Sequence, residues 1–273
     1  MSENEFRRLV ARVERAASHR HELWRLGAEH LKANPIERRV VGDGDIRSFR
    51  LHATAPVPTE LSLIFGEWLY QLRAALDGLM YEIVVRETKL DPPPNAGRIS
   101  YPLCRSADAF ASCNTYGVSD RIRRAIERTQ PYHATGGFSG SALWWIHELA
   151  RIDRHRRGHC LVWRIIDLQV NSNSPAIDTS RCGVCNQFEA FIRGDEELEA
   201  AWIALRRGIE LNSNDGVDIN WRLQFDVSDW VQRIPRSYGS WSLDDRMANA
   251  EMYLSKTIEL FEQLFIVDDE MLA

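Results

Sequence analysis

Seven large apolar side chains, Leu61, Phe65, Trp68, Leu72, Leu76, Leu79 and Ile83, recur at steps of 4, 3, 4, 4, 3 and 4. That spacing lines up on one face of an α-helix and has no counterpart in a strand, whose faces repeat every second residue. It predicts a helix over 59–88, closed by "DPPPNAG", whose prolines lack the donors a helix needs. A stripe this long and bulky must be covered, and the rest of the chain supplies the covers. Residues 3–33 place Phe6, Val10, Val13, Ala17, Trp24 and Leu31 near one stripe before Pro35. Residues 243–266 carry Met247, Leu254, Ile258, Phe261 and Phe265 behind a Ser242/Asp245 capping pair. Residues 141–157 carry Trp145, Leu149 and Ile152, with Ser139 or Ser141 as N-cap and Gly158 as the residue that ends the helix. A shorter helix is expected at 119–130, opened by Ser119.

Other stretches have a different period. "RRVVGDGDIRSFRLHA" reads as a β-hairpin at about 37–54, its Gly and Asp residues suited to a tight turn. "CLVWRIIDLQV" is a near-continuous apolar run of the buried-strand kind, and residues 187–193 form a second strand. Ile219, Trp221, Leu223, Phe225 and Val227 alternate with polar residues, which predicts a half-exposed strand. "DEELEAAWIALRR" between them is expected to be a short helix. The fold class is therefore α+β, in a single domain over 1–273. A helical bundle core is expected from 1–158 and 240–267, with a β-rich elaboration at 159–239.

The net charge of −5 provides no global basic field, so any polyanion site must be local. Of 34 basic residues only three are Lys, and the Arg are spread over the whole chain. The N-terminus is charged throughout, and no apolar run approaches the ~18 residues needed to span a bilayer. Five Cys, odd in number and widely spaced, argue against a disulfide framework. A reduced, cytoplasmic location without membrane partners is expected.

One segment stands out. "ELARIDRHRRGHC" packs five cationic or imidazole side chains into the six positions 154–159, at the end of an expected core helix. Within it, Arg154, the polar His155 and His159 follow a short pattern that resembles the ribonuclease motif of HEPN-type proteins, which are helical bundles. The helix "LYQLRAALDGLMYEIVV" also looks like an early helix of such families. A wider stretch, "LRAALDGLMYE", "QPY" and "IDRHR" in that order, resembles an uncharacterised bacterial family. That likeness gives weight to Asp153, His155 and Arg156.

The HEPN resemblance implies metal-independent RNA cleavage or RNA binding, with no cofactor. His159 would be the acid or base, Arg154 the phosphate stabiliser and His155 the orienting group. It also implies a homodimer with two clusters facing each other. Arg73 and Asp77, one turn apart on the 59–88 helix, either pair on the surface or support the cluster. Asp77 or Asp153 would then fix an imidazole tautomer. The competing reading is a solvated basic helix terminus in a non-catalytic interaction protein, since cations there complement the helix dipole. "CGVC" at Cys182–Cys185 is half of a zinc knuckle without a second pair and reads as a turn between strands. "GGFSGS" falls short of a nucleophile elbow and reads as a loop with an N-cap.

Overall fold

The computed structural model describes residues 3–33, 35–42, 44–156, 158–172, 174–185, 190–194, 196–206, 217–236 and 241–272. The protein is α+β. It divides into two compact units, each assembled from separated stretches of chain. The helical unit comprises Met1–Leu23, Ser62–His159 and Arg233–Ala273, and the β unit comprises Trp24–Leu61 and Cys160–Gln232.

The main helices are α1 (Glu3–Lys32), α2 (Thr59–Thr88), α3 (Ala107–Ala111), α4 (Asp120–Arg128), α5 (Ala142–His155), α6 (Ser228–Val231) and α7 (Leu243–Leu272). Every member of the seven-residue stripe on α2 is fully buried, as its spacing requires. In the helical unit a polar clamp adds register to apolar packing. Glu251 on α7 accepts from Trp68 Nε1 at 2.8 Å and from Arg20 Nε at 3.1 Å, and Arg20 Nη1 reaches Asp244 at 2.7 Å. A carboxylate as buried as Glu251 is tolerated only with partners of this kind. Ser242 and Asp245 form the expected reciprocal cap of α7.

α5 starts where the sequence predicts. The Ser141 side chain accepts from Trp144 N, and Trp145 Nε1 donates to the Ser139 carbonyl at 2.7 Å, holding the glycine-rich loop against the helix. Its last helical residue is His155, and Gly158 takes the left-handed backbone (φ 79°) that lets the chain turn away.

The β unit holds two antiparallel sheets. β1 (Ile36–Val41), β2 (Ile46–Ala53), β6 (Glu197–Ala204) and β4 (Gly183–Val184) form one, in the order β1-β2-β6-β4. β5 (Phe191–Ile192), β3 (Leu161–Ser172) and β7 (Val217–Val227) form the other, in the order β5-β3-β7. Two expectations change here. The segment read as a short helix is strand β6: it pairs with β2 on one side and β4 on the other, so sheet pairing outweighs the helix propensity of its Glu, Ala and Leu. The hairpin, grouped by sequence with the helical core, enters the β unit through that β2–β6 pairing. Of the strand expected at 187–193, β5 covers Phe191–Ile192, and residues 187–189 lie outside the described residues.

β7 is half-exposed only in its first part. Gln224, Phe225, Asp226 and Val227 are all buried, and Asp226 accepts from Arg164 Nη1 of β3 at 2.9 Å. The end of α1 belongs to this unit: His30 stacks on Trp163 at 5.5 Å, and Gly27 faces Phe225 so closely that a Cβ would lie 2.6 Å from the ring.

Candidate functional site

In the helical unit, α2 and α5 enclose a cleft of about 300 Å³. From α2 it is lined by Gly66, Tyr70, Arg73 and Asp77, and from α5 by Ala150, Asp153 and Arg154. Helical spacing explains the set. Residues 66, 70, 73 and 77 recur at steps of 4, 3 and 4 on α2, beside the buried stripe, and 150, 153 and 154 share one face of α5.

Arg73 is buried and chelated by its own helix: Nε donates to Asp77 Oδ2 at 3.0 Å and Nη2 to Asp77 Oδ1 at 2.6 Å. Asp77 Oδ1 also accepts from the backbone N–H of Tyr101 at 3.0 Å, so this carboxylate holds both Arg73 and the chain at Tyr101. Arg73 Nη1 is buried and has no hydrogen-bond partner among the described residues. Burial lowers the pKa of Arg73, Asp77 opposes that shift, and Arg154 adds to it. Two guanidinium groups therefore stand near each other at the cleft.

Arg154 is exposed, and its Nε donates to the Ala150 carbonyl at 3.2 Å. Asp153 Oδ1 accepts from the backbone N–H of His159 at 3.3 Å, tying off the turn that follows α5. Of the residues singled out in the sequence, Arg73, Asp77, Asp153 and Arg154 thus converge. His155 and Arg156 are exposed and do not line the cleft. Arg157 lies outside the described residues.

His159 is placed differently from a catalytic imidazole. It is 2% exposed, its Nε2 donates to the Leu149 carbonyl at 2.9 Å, and its ring meets the edge of Phe65 at 5.6 Å. The position of His159 just before the apolar run "CLVW" does not single it out as buried; its burial follows the turn at Gly158.

A further imidazole was not singled out in the sequence. His147 lies on α5, two turns before Arg154, and its Nδ1 is buried without a hydrogen-bond partner among the described residues. Burial, together with the charges of Arg73, Arg151 and Arg154, lowers its pKa to about 4 against the pull of Glu148, so the ring is neutral at neutral pH. The i, i+7 relation of His147 to Arg154 is the signal that could have found it. Tyr70, one turn before Arg73 and 62% exposed, was missed for the same reason.

Among the described residues no three His, Cys, Asp or Glu side chains gather as metal ligands would. Cys182 Sγ donates to the Asp178 carbonyl, and the short strand β4 separates it from Cys185. Among the same residues no helix is long and apolar enough to cross a membrane. Comparison with protein-family models, with curated proteins and with solved structures returned no match.

Proposed function

We propose that the α2–α5 cleft binds the sugar-phosphate backbone of single-stranded RNA, as a HEPN-like RNA-binding site. The observation that carries the reading is Arg73 Nη1: a buried guanidinium nitrogen, in a residue lining a cleft, with no protein acceptor among the described residues. An unmatched buried donor costs about 1–3 kcal/mol, and a phosphate oxygen entering the cleft would relieve it. Arg154 supplies a second guanidinium from the facing helix, and two guanidinium groups lining one cleft suit a phosphate. Both come from one chain, so the site needs no second copy. A volume of about 300 Å³ is at the small end for ligand pockets, suited to one unit of a single strand and not to a duplex.

Binding is better supported than cleavage. Cleavage without metal needs an accessible imidazole close to the phosphate. His159 is turned to backbone and Phe65, and His155, though exposed, lies outside the cleft lining.

Fluorescence anisotropy with a labelled single-stranded RNA tests the reading. Wild type should bind at low salt, and Arg154→Ala should weaken binding at least about tenfold while flattening the salt dependence. No binding at about 50 mM salt would end the proposal. The same RNA should stay intact in EDTA. Cleavage that is lost in His155→Ala would return the site to catalysis.

A further inference from the structure

We propose that Asp153 selects RNA over DNA, its Oδ2 accepting a hydrogen bond from the ribose 2′-hydroxyl next to the phosphate held by Arg73 and Arg154. This rests on the RNA-binding reading and adds a substrate preference to it.

The cleft contains two carboxylates, and a carboxylate beside a phosphate site is unfavourable unless the ligand brings a donor to it. Asp77 is largely committed, because both of its oxygens serve Arg73 and one also serves Tyr101 N–H. Asp153 is different. Its Oδ1 is held by His159 N–H, which fixes the orientation of the group, and its Oδ2 carries no hydrogen bond among the described residues. The residue facing Oδ2 from α2 is Gly66, where a Cβ would lie only 3.2 Å away. A glycine there leaves space beside the oxygen that a methyl group would fill, and both residues line the cleft.

The cleft therefore offers guanidinium donors for an anion and one fixed carboxylate acceptor for a neutral donor. In a nucleic-acid backbone the donor next to a phosphate is the 2′-hydroxyl, which DNA lacks. A DNA strand would bring its phosphate toward Asp153 without a donor for Oδ2. Aspartate or glutamate accepting from a ribose hydroxyl is also how dinucleotide folds recognise that sugar.

The experiment compares three oligomers of one length: uridine RNA, deoxyuridine DNA and 2′-O-methyl uridine RNA. All three carry the same base, so the 2′ substituent is the only difference in donors. Wild type should bind uridine RNA about tenfold more tightly than either analogue, the usual effect of one hydrogen bond to a charged group. Asp153→Asn keeps an oxygen for His159 N–H and should bring the three affinities within about twofold of one another. Gly66→Ala, which removes no polar group and suits a helix interior, should have the same effect by crowding and covering Oδ2, and it serves if Asp153→Asn fails to fold. Equal wild-type affinity for all three oligomers, sensitive to Arg154→Ala, would overturn the role of Asp153 and leave the phosphate cleft standing. A preference for RNA that survives in both variants would overturn it too. No binding to any oligomer would remove both readings together.

Discussion

Each unit contains an arginine–aspartate pair with a buried arginine, and the two are built for different ends. Arg164 and Asp226 join neighbouring strands of the β unit, with side chains 3% and 0% exposed. Asp226 also accepts from the N–H of Val227. Arg73 and Asp77 join positions one turn apart on a single helix, with side chains 9% and 31% exposed, beside a cleft. The first pair can only hold strands together, because no solvent reaches either charge. The second pair orients a guanidinium beside the cleft, and its aspartate also ties the Tyr101 N–H to α2. Burial of an ion pair is thus not one thing. Where both partners are sealed the geometry serves the fold, and where the acceptor is part-exposed the geometry can serve a ligand.

The largest test of this contrast is removal of one partner from each pair. Arg164→Met should cost about 3–5 kcal/mol in urea unfolding, because Asp226 is left charged in a site without water. A cost below about 1 kcal/mol would mean that the sealed pair contributes no more than a surface one. An intermediate effect is expected from acid. His147 has a folded pKa of about 4, below its ordinary value of 6.5, so the unfolded chain binds the proton more readily. The stability that comes from keeping the ring neutral is fully present above pH 6.5 and is lost as pH falls through 4, on the order of 3 kcal/mol. His147→Gln should flatten the stability profile between pH 6.5 and 4, and an unchanged profile would dismiss the cluster of positive charge around this ring.

The smallest stability effect belongs to the cleft. Arg73→Met should cost about 1–2 kcal/mol, since Asp77 is part-hydrated and keeps its bond from Tyr101 N–H. It should nevertheless lower RNA affinity at least about tenfold. Equal losses of stability for Arg73→Met and Arg164→Met would erase the distinction between the two pairs.

The seven-residue stripe of α2 was legible because helical spacing and burial coincide at every member, and the caps of α5 and α7 were legible because capping is local chemistry. β6 was not, because its Glu, Leu and Ala residues satisfy a helix locally and only two neighbouring strands, distant in sequence, decide otherwise. The site divides along the same line. Arg73 with Asp77, and Asp153 with Arg154, could be read as pairs within their own helices. That the pairs meet depends on packing between α2 and α5. The burial of His159 depends on a turn at Gly158 whose direction no spacing encodes, and so an imidazole that fits a short motif ends against Phe65 and the Leu149 carbonyl.

The interleaving of the two units along the chain bears on how the protein is made. Everything the β unit needs has been synthesised once Gln232 has been added, whereas the helical unit still lacks α7. Arg20 must keep its guanidinium in water until Glu251 arrives 231 positions later, and Trp68 waits for the same carboxylate. During synthesis the apolar stripe of α2 is thus laid down early and covered last, which makes the nascent helical stretch the part of this chain most in need of chaperoning.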